Sequence, residues 1–305
     1  MIDLHTHTNF SDGDYSPEEL LKISKQRGVK TIVIADHDTV DAYNDELFQL
    51  AEQLGIRLIP GIELSTVDVQ TGQKVHVLGL FIDPNNQKLR DKCAELRKQR
   101  EAAVFEFEEK LQKFGFVLRT QKLLDSGEII TKAHIARDIL ANPDNQAALK
   151  KHHQGKIPLQ GEFIEQWIIK GCPAFVENKA RLHADQAVDL IHQAGGIASC
   201  THPSFNVMKG FSFDEMCQLI LRNRLDAVEA INIQYDKNNG DKRFDMVKEF
   251  SEFANKNGLL ITGGSDFHSD NYELWGEHTE LGFSNEDIKF TDEMLAHLER
   301  HLSQD

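Results

Sequence analysis

The sequence has few cysteines, no long apolar run, no excess of positive charge and no phosphate-binding loop. Cys93, Cys172, Cys200 and Cys217 lie far apart without a CxxC pair. That spacing excludes a disulfide framework and a thiolate zinc knot, and reads as small buried apolar side chains. No stretch approaches the roughly 18 apolar residues of a membrane span. The basic and apolar regions of an export signal are missing ahead of Asp3, so a cytoplasmic protein without membrane contact is expected. A formal net charge of −15 over 305 residues excludes a surface that coats nucleic acid, though not a local pocket for a nucleic-acid end. Gly195-Gly196 is followed by no phosphate-loop lysine and serine, and reads as a helix stop.

What is present is a recurring alternation. Short β-rich runs occur at 2–5, 30–36, 57–64, 74–82, 196–202, 226–232 and 259–266. Most are separated by amphipathic helical segments such as "SPEELLKISKQRG", with Ser16 as N-cap and Pro17 at the first helical position. Alternating strand and helix predicts parallel strands, and about seven of them predict an α/β fold, a distorted seven-stranded (β/α) barrel rather than an open sheet. His5, Asp36, His37, Glu63, His202, Glu229, Asp266 and His268 fall at or near the carboxyl ends of these runs, the rim on which barrel enzymes build their sites.

The alternation stops near residue 87, where "NQKLRDKCAELRKQREAAVFEFEEKLQKFG" reads as one long helix. The expected organisation is therefore a barrel of residues 1–87 and 183–305 carrying a helical insertion domain over 88–182. Residues 88–156 hold 15 Lys/Arg against 10 Asp/Glu, so positive charge concentrates in the insertion of an otherwise acidic chain. His152, His153 and His278 read as surface histidines, and the stretch from Asp287 as a packing helix.

The histidines and carboxylates form recognisable groups. In "IDLHTHTNFSDGD", His5 and His7 are two apart at the end of a strand, so both point from one face. Asp12, His37 in "ADHD", Glu63 in "PGIELS", His76 in "KVHVLG", His202 in "THP", and Asp266 and His268 in "GSDFH" complete nine candidate metal ligands. One catalytic ion uses about three protein ligands and keeps a position open, so two to three divalent ions are implied. Mixed nitrogen and oxygen donors without thiolates suit manganese, zinc or iron.

These motifs, in this order, resemble those of the polymerase and histidinol phosphatase (PHP) superfamily of metal-dependent phosphoesterases. The resemblance implies one ion on His5, His7, Glu63 and Asp266, a second sharing Glu63 with His76 and His202, and a third on Asp12, His37 and His268. Glu63, His202, Asp266 and His268 are the candidate catalytic residues. The implied chemistry is attack of a metal-held hydroxide on phosphorus, with His202, Asp38 or His268 open as handlers of the leaving-group proton.

Within the superfamily, "LRKQR" and "TKAHIAR" resemble the nucleoside 3′,5′-bisphosphate phosphatases that are also 5′-to-3′ exoribonucleases. That resemblance implies that Arg97, Arg100, Lys132, His134 and Arg137 hold a substrate's 5′-phosphate. Lys132 stands where that branch more often has arginine, and Ser204-Phe205-Asn206 where it commonly continues Gly-Arg-Tyr. The expected substrate is a small nucleotide or a short 5′-phosphorylated oligonucleotide, with no obligate protein partner. The alternatives are a small-metabolite phosphatase of the histidinol-phosphatase type and a non-catalytic module that binds metal for structure.

Overall fold

The computed structural model describes residues 1–177, 182–236, 242–271, 280–283 and 289–303. Its strands are β1 (Ile2–Thr6), β2 (Thr31–Ile34), β3 (Arg57–Val67), β4 (Lys74–Leu80), β5 (Leu182–His183), β6 (Ile197–Cys200), β7 (Ala227–Ile231), β8 (Gln234–Asp236), β9 (Lys242–Phe244) and β10 (Leu260–Gly263). One mixed sheet runs in the order β1-β2-β3-β4-β6-β7-β10, with β5 beside β3, while β8 and β9 form a separate pair. The sheet curls until its two ends meet at one rim, where Asp266 N–H donates to His5 O and His7 N–H to Phe267 O, both at 2.9 Å.

The expected all-parallel arrangement fails at β4, which runs antiparallel to both β3 and β6. The cause is local. Only residues 68–73 separate β3 from β4, enough for a hairpin turn and too few for the crossover that a parallel neighbour requires. The reversal matters for the site, because it brings the amino-terminal end of β4, with His76, to the rim where the parallel strands end.

A second local device acts in β1. Between Asp3 and Thr6 the register slips, three steps on β1 matching two on β2. Such a bulge shifts the side-chain alternation by one. Ile2 and Leu4 can therefore join the apolar cluster of Val33, Ala35, Ile59, Leu78, Leu80, Ile197, Ala227 and Leu260, while His5 and His7 reach Glu63. Along several strands this cluster gives way to polar residues of the same parity: Ile59 to Glu63, Leu78 to His76, Ala35 to His37.

Helix signals are obeyed. The helix Pro17–Gln26 starts on a capping box between Ser16 and Glu19, and Ala184–Gln193 stops before Gly195, whose φ is +77°. The long helix spans Gln87–Gln112. The C-terminal helix is Asp292–Leu302, burying Leu295 and Leu298; Asp287, where it was expected to begin, lies outside the described residues, as does His278.

The chain divides into two compact units, one built on Met1–Cys93 and Arg181–His268, the other on Ala94–Ala180. The second has its own apolar core, including Val104, Phe107, Leu111, Phe116, Ile139, Phe163 and Trp167. His152 and His153, expected at the surface, are half-buried there: His152 packs edge-on to Trp167, whose Nε1–H donates to His153 Nε2 at 3.1 Å. Of the four cysteines expected to be buried, Cys93 and Cys200 are, whereas Cys172 and Cys217 are half-buried. No helix among the described residues is long and apolar enough to cross a membrane.

The β3–β4 turn is tied down by Asp68, whose carboxylate accepts from Arg222 Nε and Nη2 (2.8 and 2.6 Å), Asn223 Nδ2 (2.9 Å) and Thr71 (2.7 Å). Burial works to raise this carboxyl's pKa, but Arg222, Asn223 and Thr71 overcome it and hold it well below the usual range. We expect Asp68→Ala to cost about 2 kcal/mol in urea unfolding. A depressed carboxyl contributes stability above its unfolded pKa, so the gap between wild type and variant should be full at pH 7 and close as the pH falls below about 4.

Candidate metal centre

Glu63 is fully buried, in a protein whose carboxylates otherwise favour the surface. It lies on β3 just past the segment paired with β2, where an isolated bridge joins it to His37. Five imidazoles surround it. Its Oε2 lies 3.4 Å from His5 Nε2, 3.4 Å from His7 Nε2 and 3.0 Å from His37 Nδ1. Its Oε1 lies 2.9 Å from His76 Nδ1 and 3.2 Å from His202 Nε2.

Two further carboxylates complete the group. Asp266 Oδ1 lies 3.4 Å from His5 Nε2, 3.1 Å from His7 Nε2 and 3.8 Å from His268 Nδ1. Asp12 sits 3.4 Å from His268 Nε2 and 3.8 Å from His37 Nε2. All nine side chains singled out in the sequence are therefore gathered on one rim. Three sets have donor atoms mutually within 4.8 Å: His5, His7, Glu63 and Asp266; His7, Asp12, His37 and His268; and His37, Glu63 and His76. His7 and His37 each belong to two sets, a sharing that the linear motifs did not reveal, and His202 joins through Glu63.

The backbone is bent to achieve this. Asp38, His202 and Asp266 have left-handed φ of 55°, 30° and 57°, a conformation costing on the order of 1 kcal/mol or more in residues with a Cβ. Each is held by a backbone bond: Asp38 N–H to Glu63 O at 2.9 Å, Asp266 N–H to His5 O at 2.9 Å, and His202 N–H to Glu229 Oε2 at 2.7 Å. Gly264 lets β10 approach β1 so closely, since a Cβ there would stand 2.6 Å from His5 N.

Behind the cluster lies a layer of carboxylates that motif reading left unassigned. Glu229 Oε1 accepts from His5 Nδ1 at 3.0 Å, which leaves the His5 Nε2 lone pair facing the site. Asp36 accepts from Thr8 N, Thr8 Oγ1 and Ser11 Oγ at 2.6–2.7 Å, fixing the loop that carries Asp12. Asp3 accepts from Ser265 N and Oγ, Gly282 N and His5 N.

The electrostatics are those of a site awaiting cations. Burial opposes charge on Glu63, yet His37, His76 and His5 hold its carboxyl well below the ordinary range. Asp12 and Asp266 are likewise depressed against burial by facing imidazoles. Burial, helped by the facing charges of His7 and His76 and opposed by Glu63 and Asp12, brings His37 down to about 4. His268 goes the other way: burial lowers it, but Asp266 and Asp12 lift it to about 10. Glu63 Oε2, His37 Nδ1 and His202 Nδ1 are buried without a hydrogen bond, and His5 Nε2 faces His7 Nε2 at 3.1 Å. Buried polar atoms left unsatisfied and imidazole nitrogens crowded against each other are what divalent ions resolve, so the donor set fits a divalent-metal centre.

In the second unit, four of the five clamp candidates gather around residues 127–130. Arg97 Nη1 donates to Gly127 O at 2.6 Å and Arg100 Nη1 to Ile130 O at 3.3 Å. His134 Nε2 lies 3.5 Å from Glu128 Oε2. Burial raises the Glu128 carboxyl, and the charge of Arg137 opposes that shift. Lys132 occupies the first turn of the helix Lys132–Ala141, capped by Thr131 and His134. Arg119 is bound to Asp138, and Lys209 lies over Phe205 with Nζ 5.4 Å from the ring centre, so that a cation does stand beside the Ser204-Phe205-Asn206 segment.

A curled α/β sheet with histidines and carboxylates on one rim defines a metal-dependent hydrolase scaffold. The PHP domain model matches residues 3–197, and the chain belongs to the PHP domain family. It is 34% identical over 270 residues to a 5′-3′ exoribonuclease of Haemophilus influenzae, covering 87% of this chain and 89% of that protein. It is 27% identical to a 3′,5′-nucleoside bisphosphate phosphatase of Chromobacterium violaceum, covering 88% and 87%. The fold matches a Bifidobacterium adolescentis structure assigned as a metal-dependent phosphoesterase, with TM-score 0.76 and 22% identity over 97% of this chain and 94% of that one.

Glu63→Gln is expected to lower manganese affinity more than about 100-fold, and Glu229→Gln, which leaves the first ligands in place, about 10- to 100-fold. Calorimetric titration of folded variants checks both. Because His268 holds a proton at pH 7 that a metal must displace, binding should release protons and tighten as the pH rises. Titrations in buffers of different ionisation enthalpy read that release.

Proposed function

We propose that this chain is a metal-dependent phosphoesterase acting on nucleotides that bear a 5′-phosphate. It is a 3′-phosphatase of nucleoside 3′,5′-bisphosphates and a 5′-to-3′ exonuclease on short oligoribonucleotides. The observation that carries this reading is the convergence of five histidines on the two oxygens of Glu63. The names of the Haemophilus and Chromobacterium relatives supply the substrate class. The finer architecture proposed is a distorted seven-stranded barrel over 1–87 and 183–305, with the helical insertion 88–182 as its substrate-binding domain.

Two or three ions, manganese being the first candidate, would be held by His5, His7, Glu63 and Asp266; by Glu63, His76 and His202; and by Asp12, His37 and His268. When bound, they lower the pKa of water and neutralise charge on the phosphoryl oxygens. The chain does the rest. Glu63 holds the two sides of the centre at a fixed separation through its two oxygens. Glu229 locks the His5 tautomer and the left-handed turn at His202. Asp38 accepts from Ser65 N–H at 2.8 Å and so keeps the loop after β2 in place.

In the helical unit, Arg97, Arg100, Lys132, His134 and Arg137 would take the terminal 5′-phosphate. Glu128, within 3.5 Å of His134, is the carboxylate that a phosphate would displace. Such an end-on grip needs no extended basic groove, in keeping with the net charge of −15.

The test is phosphate release, with manganese, from adenosine 3′,5′-bisphosphate against histidinol phosphate. Strong preference for the bisphosphate is expected, and preference for histidinol phosphate would overturn the substrate assignment. Arg100→Ala and Arg137→Ala should each lower kcat/KM on the bisphosphate about 100-fold, roughly 3 kcal/mol, at unchanged metal content.

A further inference from the structure

Among the six histidines that are candidate metal ligands, His202 has the ring least tied down by hydrogen bonds. A metal-bound histidine is ordinarily oriented by a bond from its second nitrogen, which also makes it a better donor. His5 has such a partner for Nδ1 in Glu229 at 3.0 Å, and His268 in the Asp266 carbonyl at 2.8 Å. His7 Nδ1 faces Ser11 Oγ at 3.5 Å, and both nitrogens of His37 face carboxylates. His76 has a side chain 30% exposed, within reach of water. His202 turns Nε2 to Glu63 at 3.2 Å, and its Nδ1 is buried without a hydrogen bond.

What faces the ring instead is packing. Glu229 accepts from His202 N–H at 2.7 Å, but a bond to the peptide leaves the imidazole free to turn. His202 caps the short helix Pro203–Met208 in its left-handed turn, and Phe205 N–H donates to His202 O at 3.0 Å. Residues three apart on a helical turn are neighbours. The half-buried Phe205 accordingly lies edge-on to the imidazole, ring centres 5.5 Å apart at 77°, within the range of a favourable aromatic pair. Phe205 is itself steadied by Lys209, whose Nζ stands 5.4 Å from its centre. The other rings against His202 are His5 and His76, themselves candidate ligands, so among the described residues Phe205 is the ring that touches His202 from outside the metal centre. It is also the middle residue of the Ser204-Phe205-Asn206 segment, where this chain departs from Gly-Arg-Tyr.

We propose that Phe205 is the positioning residue of His202, holding by packing a ring that the neighbouring ligands have held by hydrogen bonds. This rests on the reading of His202 as a metal ligand and deepens it. An imidazole whose second N–H has no acceptor is the poorer donor, and its partner His76 is the most exposed of the six. The ion on Glu63, His76 and His202 is therefore the one that binds last and leaves first, and its affinity depends on the ring at 205.

The test is equilibrium dialysis of the full chain across a manganese series, with bound metal counted per chain. His202→Ala should fill with one ion fewer than wild type. Phe205→Ala should fill to the wild-type number, with the last ion needing at least about tenfold more manganese and the earlier ions unchanged. Phe205→Leu, which keeps apolar bulk without the flat ring, should fall between, and Phe205→Tyr should restore the wild-type curve. A rival partner for Nδ1 is the Ser204 hydroxyl, also buried without a hydrogen bond; Ser204→Ala should leave the last ion unchanged, and a loss there equal to that of Phe205→Ala would overturn the proposal. So would a folded Phe205→Ala with the wild-type curve, a loss spread over every ion, or a Phe205→Tyr no better than Phe205→Ala. If Phe205→Ala does not fold, wild-type binding of the last ion by Phe205→Leu overturns it. A wild-type curve for His202→Ala would overturn the ligand reading and the proposal together, whereas an ion lost in His202→Ala with no change in Phe205→Ala overturns the proposal alone.

Discussion

One buried carboxylate organises the molecule. Glu63 is buried away from water, and the facing imidazoles of His37, His76, His5 and His202 hold it charged against burial, a balance that holds while those imidazoles arrive from separate segments. The geometry of the sheet follows from that demand. β4 must run backwards so that His76 reaches the rim, β1 must bulge so that His5 and His7 turn inward, and Asp38, His202 and Asp266 must take strained left-handed turns. Each such departure from regular structure is anchored by a hydrogen bond to the site or to the carboxylates behind it, so the strain and the function have the same address.

The two units divide the chemistry. The sheet unit concentrates anions and imidazoles, which serve cations. The helical unit concentrates arginines and lysines, which on the proposed reading take the substrate's phosphate. With recognition confined to an end of the strand, as proposed, a chain of net charge −15 can act on a polyanion although its long-range field is unhelpful. Rapid scanning along RNA is not expected of such a surface.

The strands and the nine rim residues were legible in the sequence because their signals are local: period two within a strand, H-x-H spacing, a glycine pair before Ser-Asp-Phe-His. The direction of β4 was less so. Its turn, residues 68–73, is shorter than any crossover, but alternation elsewhere masked it. Glu229 was visible as a strand end with two open roles, support of a ligand or pairing with a cation, and its partners His5 and His202, 224 and 27 residues away, decide for the first. His152 and His153 were misread because a polar pair in a helical stretch looks exposed until Trp167 closes over it. Whether Arg97 through Arg137 form a phosphate clamp depends on contacts between distant segments, which no pattern of neighbours encodes.

The most direct test of the central role of Glu63 is a crystal structure grown with manganese and measured at wavelengths where its anomalous scattering is strong. Peaks against both Oε1 and Oε2 of Glu63, flanked by His76 and His202 on one side and by His5, His7 and Asp266 on the other, are the predicted result. An active, manganese-loaded protein with no peak within bonding distance of Glu63 would contradict the account.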